Sequence, residues 1–385
     1  MYRGIVITNQ GCEDIALQET GELISITEAK TDETVVLFEF KKLTDLCVIS
    51  YMGQSISRAI LLLGEFKVNP DLDSTLKNAN AALEKSDLKS WLKRYVIECT
   101  RLGDHDFRSV DITSNLSREL KGIVKKNYKV EVSADFDNPE VIFFVYIYNN
   151  QGYIGVDFSG IDLSKRQYKI FNHPESLKGT TGYALVRESG FEKGIILDPF
   201  MGSGVIVIEA ALYAAKFPVQ YYSKDKLAFT VYDFFQKEKD AFFKKYDKLR
   251  DTKLSIFGYD SQFRFLKASQ KNAKLAGIDK CLNLSRIEIE WLDTKFDKHS
   301  VDVIVTDPPR ESKNKDTKVI KKVYQDLFNN ADYILKKKGK IMIIAMRYEL
   351  LDECAKNNKF KKTKNNLIYQ GRECFSIMTY ERDKE

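Results

Sequence analysis

None of the six cysteines stands in a C-x-x-C pair, so the sequence offers neither a zinc site nor a disulfide framework. Scattered thiols of this kind suit a reducing cytoplasm, and no metal is expected. No run of eighteen apolar residues occurs, which argues against a membrane-spanning helix. Residues 1–8 read as a short strand rather than a signal peptide. Two phosphate-binding patterns are missing as well: there is no G-x-G-x-x-G and no Walker lysine motif, so a pyrophosphate-bearing cofactor is a poor fit. What remains is a 385-residue chain, 43% hydrophobic and 30% charged, long enough for two or three globular domains with a sizeable core. Its net charge of +6 permits a polyanionic partner without requiring one.

The most informative stretch runs Ile195-Ile196-Leu197-Asp198-Pro199-Phe200-Met201-Gly202-Ser203-Gly204. Apolar residues lead into an acid, a small-residue turn and then the apolar segment 205–212, which reads as buried strand, tight loop and helix. Gly202 and Gly204 allow positive φ and close approach of a ligand. Asp198 falls at the carboxyl end of the strand, where open α/β sheets bind ligands, as an acceptor for a cationic or donor-bearing cofactor. A second buried strand, Val301-Asp302-Val303-Ile304-Val305-Thr306, ends in Asp307-Pro308-Pro309-Arg310. Proline cannot continue a sheet and holds the residue before it extended, so Asp307 is expected at the same sheet edge as Asp198.

In chain order, residues 1–65 alternate strand and helix patterns and suggest a small α+β, ferredoxin-like module. A connector at 69–74 has Asp73 or Ser74 as candidate caps for the next helix. Then come an amphipathic stretch over 76–92, a strand over 94–100, a polar loop, a helix over 110–125, and strands over 129–132, 141–148 and 153–160. Arg94, Arg101, Arg108, Lys125 and Lys126 are candidate phosphate contacts if the module presents them on one side. Residues 164–169 read as a basic linker. In the segment 218–250, Phe234, Phe235, Phe242, Phe243 and Tyr246 recur at helical spacing, as a helix face packed on the domain would, with stacking on RNA as the lesser alternative. A strand over 255–261 ends in Asp260 with Ser261 beside it, an acid placed to accept ribose hydroxyls. A strand over 284–289 leads to Glu290, Trp291 and Asp293. Trp291 is a candidate either for flanking a base or for the core. A fifth strand over 340–346 and a hairpin over 366–380 close the sheet.

The pairing of D-P-F-x-G-S/T-G with an Asp-Pro-Pro about a hundred residues later resembles the class I S-adenosylmethionine-dependent methyltransferases that act on exocyclic amines of nucleobases. Arg310 departs from that family, which carries an aromatic after Pro-Pro. The strand, loop, helix and strand order of residues 66–165, ending in a G-x-D-x-S-G segment, resembles a THUMP domain, an RNA-binding module. Together the chain resembles the THUMP-domain tRNA guanine-N2-methyltransferases. The resemblance implies an α/β protein with a C-terminal Rossmann-like methyltransferase, a seven-stranded sheet closed by an antiparallel hairpin, behind N-terminal α+β ferredoxin-like and THUMP domains. The boundaries expected are 1–65, 66–165, a linker and cofactor-covering segment at 166–182, and 183–385.

By the same resemblance, S-adenosylmethionine is the cofactor, held by His173, Leu177, Asp198, Phe200, Gly202, Ser203, Gly204, Asp260, Ser261, Glu290 and Trp291. His173 and Leu177 belong to an H-P-x-x-L segment that covers one side of the cofactor in these enzymes. Glu290 aligns best with the acid that meets the adenine amine, and Asp293 is the second choice. Asp307 and Pro308 would accept the hydrogens of the target amine, while Pro309 and Arg310 complete the motif. Arg310 could stack on the base, bind a phosphate or pair with Glu311. Guanosine at position 6 of the acceptor stem of tRNA is the target the resemblance favours, on chain length, the aromatic insertion and the Tyr369-Gln370-Gly371-Arg372 hairpin. Alternatives are guanosine 10, towards which an Asp before Pro-Pro leans, a ribosomal RNA guanine, a small-molecule or DNA amine, and an RNA-binding protein with an inactive methyltransferase domain. A cytoplasmic monomer is expected.

Overall fold

A computed structural model describes residues 1–172, 176–251, 254–310 and 316–383. The chain forms two compact units, and neither is continuous in sequence. The first comprises Met1–Thr8, Ala16–Leu163 and Ser223–Lys245; the second comprises Asn9–Ile15, Ser164–Tyr222 and Tyr246–Glu385.

In the first unit, β1 (Tyr2–Thr8), α1 (Glu13–Leu23), β2 (Thr27–Asp32), β3 (Val35–Phe40), α2 (Leu43–Met52) and β4 (Ile56–Lys67) are followed by α3 (Leu72–Glu84), β5 (Tyr95–Leu102), α4 (Ser109–Tyr128), β6 (Val141–Tyr148) and β7 (Gln151–Asp157). The seven strands form one sheet in the order β2-β3-β1-β4-β7-β6-β5. The boundary expected at residue 65 therefore runs through β4. That strand pairs with β1 through Ile56–Leu61 and with β7 through Ile60–Lys67. Its register shifts between Leu62 and Gly64, and a Cβ on Gly64 would lie 2.9 Å from Ala82 Cβ of α3. A bulge of this kind bends a long strand so that it can serve two halves of one sheet.

Two local expectations change, and one strand had no sequence signal. Asp71, not Asp73 or Ser74, caps α3, its carboxylate accepting from the Ser74 amide at 2.8 Å. The strand expected over 129–132 does not form. Instead, α4 runs on to Tyr128, Lys129 turns the chain left-handed at φ +61°, and an isolated Tyr95–Ala134 bridge forms nearby. β2 is exposed along its whole length, so it carries no apolar alternation by which a sequence could reveal it.

The second unit begins its regular structure with α5 (Gly179–Glu188), β8 (Gly194–Asp198) and α6 (Val205–Ala215). The next helices, α7 (Asp233–Gln236) and α8 (Lys239–Tyr246), belong largely to the first unit rather than to the second. Their aromatic residues are core. Phe235 meets Phe229 at 4.7 Å and Phe242 at 5.1 Å, while Tyr51 of α2 meets Phe243 at 5.3 Å. Phe235 is fully buried, which removes it from any stacking on RNA.

Then follow β9 (Leu254–Asp260), α9 (Phe263–Ala276), β10 (Leu282–Arg286), β11 (Val301–Thr306), α10 (Thr317–Ile334), β12 (Leu335–Ala345), α11 (Glu349–Asn357), β13 (Phe360–Gln370) and β14 (Glu373–Arg382). The sheet order is β10-β9-β8-β11-β12-β14-β13, parallel through the first five strands, with β14 antiparallel between β12 and β13. Both faces are covered by apolar layers, one built on α5, α6 and α9 and the other on α10 and α11. Strand order reverses between β8 and β11, and at such a switch point the loops leaving adjacent carboxyl ends diverge and open a crevice. Asp198 ends β8 and Asp307 directly follows β11.

Candidate active site

One cavity occupies that crevice. It is lined by Ser176 and Leu177 from the segment before α5, residues 198–203 and Val205 and Ile206 after β8, Asp260, Ser261, Gln262 and Phe265 after β9, Ile287, Glu288 and Ile289 after β10, and Asp307, Pro308 and Pro309 after β11, with Val323 of α10. Of the expected cofactor residues, Leu177, Asp198, Phe200, Gly202, Ser203, Asp260 and Ser261 line it together with Asp307, Pro308 and Pro309. His173 lies outside the described residues.

Glu290 and Trp291 are not brought into this group. Trp291 is 60% exposed and Glu290 reaches Lys322 at 3.7 Å. The chain enters a short 3-10 turn at Ile289, which carries the next two side chains outward and leaves Glu288 as the acid on the cavity wall. Gly204 is not a lining residue either. It starts α6 at φ +86°, and a Cβ there would lie 3.1 Å from Ser269 Cβ, so its glycine serves helix packing.

Asp198 is 1% exposed. Its Oδ1 accepts from the Thr306 hydroxyl at 2.6 Å and from the Phe200 amide at 3.1 Å. Burial pushes its carboxyl up to about 7, against the Thr306 and Phe200 hydrogen bonds, and the charges of Asp307 and Asp260 add to the rise. Thr306 was not a sequence candidate. It ties the carboxyl ends of β8 and β11 together through one hydrogen bond, and only the strand adjacency reveals it. Asp260 accepts from the Gln262 amide at 2.8 Å and the Gly202 amide at 3.1 Å, so it shapes the glycine loop it faces. Burial also raises its carboxyl.

The Asp307 carboxylate is held by Arg310, whose Nη2 reaches its two oxygens at 3.0 and 3.3 Å. The Arg310 guanidinium sits 5.0 Å over the Phe375 ring of β14, and its Nη1 is 3.9 Å from the Met346 sulfur. The partner is thus Asp307 itself; Glu311 lies outside the described residues. Tyr324 of α10 donates to the Pro309 carbonyl at 2.8 Å, which fixes the turn after β11.

The wall formed by Ser176 and Leu177 is anchored on three sides. Lys169 donates to the Leu177 carbonyl at 2.6 Å, Ser176 and Ser203 share a hydrogen bond at 2.9 Å, and the Gln370 side-chain oxygen accepts from the Lys178 amide at 2.6 Å and from Thr181 at 3.1 Å. The linker before it is not a solvated basic run. Arg166 and Glu209 are both fully buried, paired at 2.7 and 3.1 Å, and Tyr168 donates to the same carboxylate at 2.7 Å.

The five candidate phosphate contacts fall at the two ends of one strand and helix. Arg101 and Arg108 fall where β5 ends and α4 begins, and Arg94, Lys125 and Lys126 fall at the other end of the same strand and helix. Arg94 pairs with Glu140 and Asp135, Arg108 with Asp111, Lys125 with Glu131 and Lys126 with Glu84. Arg101 bonds His105 at 3.0 Å instead. Exposed pairs of this kind add little to stability.

The cavity therefore suits a ligand with a cationic end near Asp198, hydroxyls near Asp260 and an apolar body between Leu177, Phe265, Ile287 and Ile289, set beside an acceptor-rich Asp-Pro-Pro turn. Comparison with known proteins agrees with that chemistry. Residues 166–373 match the family described as RMKL-like, methyltransferase domain, and residues 72–157 match the THUMP domain. A tRNA (guanine(6)-N2)-methyltransferase of Methanocaldococcus jannaschii is 28% identical over 330 residues, covering 84% of this chain and 85% of that protein. The protein of the same name from Archaeoglobus fulgidus is 22% identical over 375 residues, covering 96% and 90%. The fold matches a possible methylase from Clostridium difficile 630 at a TM-score of 0.79, with 19% identity over all of this chain and 99% of that one. The match to the methyltransferase domain spans more than half of the sequence, and with it the chain belongs to the RMKL-like methyltransferase family, carrying a THUMP domain ahead of its catalytic sheet.

Proposed function

We infer that this protein transfers a methyl group from S-adenosylmethionine to the exocyclic N2 of a guanosine in tRNA, and that the guanosine is at position 6 of the acceptor stem. The observation that carries the reading is the convergence of Asp198, Asp260 and the Asp307-Pro308-Pro309 turn on one cavity. The two archaeal relatives named for guanine(6) support the finer assignment, because they align with this chain along most of both lengths. A cytoplasmic setting goes with a tRNA substrate.

S-adenosylmethionine supplies an electrophilic methyl on a sulfonium. The residues of this chain then have three tasks. Asp198 would hold the cofactor's ammonium and Asp260 its ribose hydroxyls, while Leu177, Phe265, Ile287 and Ile289 exclude water around it. Asp307 and the Pro308 carbonyl would accept the two hydrogens of the guanine amine. An aromatic amine is a weak nucleophile because its lone pair is spread into the ring, and acceptors on both hydrogens localise that pair and aim it, an effect strongest in the transition state. Arg310 would position the Asp307 carboxylate, its Nη2 reaching both oxygens while its guanidinium sits over Phe375.

A pH dependence follows from Asp198. Its carboxyl is raised to about 7, so below that pH the free enzyme holds it neutral and it attracts an ammonium weakly. Cofactor affinity, measured by calorimetry, is expected to be full above pH 7 and to fall by up to about tenfold per pH unit below it. Thr306→Val removes a hydrogen bond that favours the charged form, and should move the midpoint upward; an affinity flat from pH 5.5 to 8 in both proteins would remove Asp198 from cofactor binding.

The nearest rival target is guanosine 10, which the acid at Asp307 favours. Two unmodified tRNA transcripts separate them, one lacking guanosine 6 and one lacking guanosine 10. Loss of methylation with the first alone is the expected result; loss with the second alone would transfer the assignment to position 10.

A further inference from the structure

The helix α9 carries no acidic residue, and its four cations, Arg264, Lys267, Lys271 and Lys274, are all exposed. Their spacing of three, four and three residues puts them within an arc of about 80° and along about 15 Å of helix. None is ion-paired to a described residue. Aromatic side chains accompany them instead. Lys267 lies 5.2 Å from the Phe263 ring, Arg264 4.6 Å from Phe265, and Lys271 4.5 Å from Phe171. The far end of the row opens into a groove lined by Gln167, Phe171, Tyr222, Lys271, Lys274 and Leu275.

Two features make this more than a solvated face. Two of its aromatic residues, Phe171 and Tyr222, are exposed yet held. Phe171 is fixed to α9 by the buried Asn272, whose side chain accepts from the Phe171 amide at 3.0 Å and donates to the Phe171 carbonyl at 2.9 Å. Tyr222, 61% exposed, packs at 4.8 Å on Tyr221, and its hydroxyl lies 2.9 Å from where a Cβ on Gly277 would stand. The row also begins at the reaction cavity, because Gln262 and Phe265, at the start of α9, line that cavity.

We propose that the basic row of α9 and the Phe171–Tyr222 groove form a docking track for a stretch of the RNA substrate next to the methylated nucleotide, with phosphates on the cations and an unpaired base against Tyr222 and Phe171. Unpaired cations and fixed exposed rings are the combination that binds single-stranded nucleic acid, through counterion release and base stacking. The track rests on the tRNA reading above and adds to it a second contact surface, on the catalytic unit rather than on the THUMP domain.

The test compares the wild-type protein with Lys271→Ala/Lys274→Ala, with Tyr222→Ala and with Lys271→Arg/Lys274→Arg. Affinity for an unmodified tRNA transcript is measured across a salt series, and S-adenosylmethionine affinity is measured alongside as a check on the fold. The double alanine variant is expected to lose about tenfold or more in tRNA affinity, and its dependence of log affinity on log salt should flatten by about 1.4 for two lost phosphates. Tyr222→Ala should lose about tenfold in affinity with the salt slope unchanged. The double arginine variant should behave like the wild type, and cofactor affinity should hold in all four. A wild type that methylates tRNA beside a double alanine variant with unaltered tRNA affinity and slope overturns the track alone. A wild type with no tRNA affinity overturns the tRNA reading itself. Conversion of a dimer to a monomer by Tyr222→Ala, with RNA binding unaltered, would assign the groove to a second copy of the chain and overturn the proposal.

Discussion

Asp307→Ala is expected to reduce kcat for methylation of tRNA by about 10²–10³-fold, the cost of removing one preorganised electrostatic contact to a reacting group. Cofactor affinity should be nearly unchanged. The split follows from geometry. Asp307 stands on the β11 side of the cavity, tied to Arg310 at 3.0 Å, whereas Asp198 and Asp260, the acids proposed to hold the cofactor, stand after β8 and β9. Asp307→Asn keeps one carbonyl acceptor and should fall between the wild type and the alanine variant. Single-turnover kinetics with a saturating labelled cofactor measure the effect, and equal rates for wild type and Asp307→Ala would take this carboxylate out of the chemistry.

The second large effect concerns stability. Glu209 lies on α6, an otherwise apolar helix packed under the glycine loop, and it is buried with Arg166 and Tyr168 as its partners. Removing one member of a buried ion pair leaves the other charge desolvated and costs about 3–5 kcal/mol. Glu209→Ala is therefore expected to destabilise the catalytic unit by that amount in denaturant titration. The simultaneous change Arg166→Met/Glu209→Leu should recover part of the loss, because no charge is then left unpaired, although the buried Tyr168 hydroxyl loses its acceptor. If the single and double variants proved equally unstable, packing rather than charge would explain the site. Gly179 sets a steric limit here, since a Cβ at that position would lie 2.4 Å from Arg166 Nε.

Much of the catalytic half was legible in the sequence for a physical reason. A parallel sheet covered on both faces demands unbroken apolar strands, and 195–197 and 303–305 supply them, each ending in an acid held by proline. Those features place Asp198 and Asp307 at one sheet edge. The signal that Glu209 is buried was present too, as a lone acid within Val205-Ile206-Val207-Ile208 and Ala210-Ala211-Leu212. It went unread because its partner, Arg166, is 43 residues away in a segment that looks like a charged linker.

The parts that stayed hidden depend on which element lies beside which. Thr306 matters only because β8 and β11 are neighbours. Gln370 matters only because the β13–β14 turn reaches the start of α5. The 3-10 turn at Ile289 moves the wall of the cavity from Glu290 to Glu288, a shift of two residues that no periodicity encodes. Residues 223–245 read correctly as an aromatic core but not as core of which unit, because an apolar helix face does not name its partner.

The most direct measurement incubates the wild type and Asp307→Ala side by side with methyl-labelled S-adenosylmethionine and unmodified tRNA, then digests the RNA with a ribonuclease and maps the labelled oligonucleotide and its methylated nucleoside by mass spectrometry. The expected product is N2-methylguanosine from a single acceptor-stem position with the wild type, and none above background with the variant, although both bind the cofactor. Label on another base, or equal N2-methylguanosine from both proteins, would contradict the assignment of this cavity to guanine N2 methylation through Asp307.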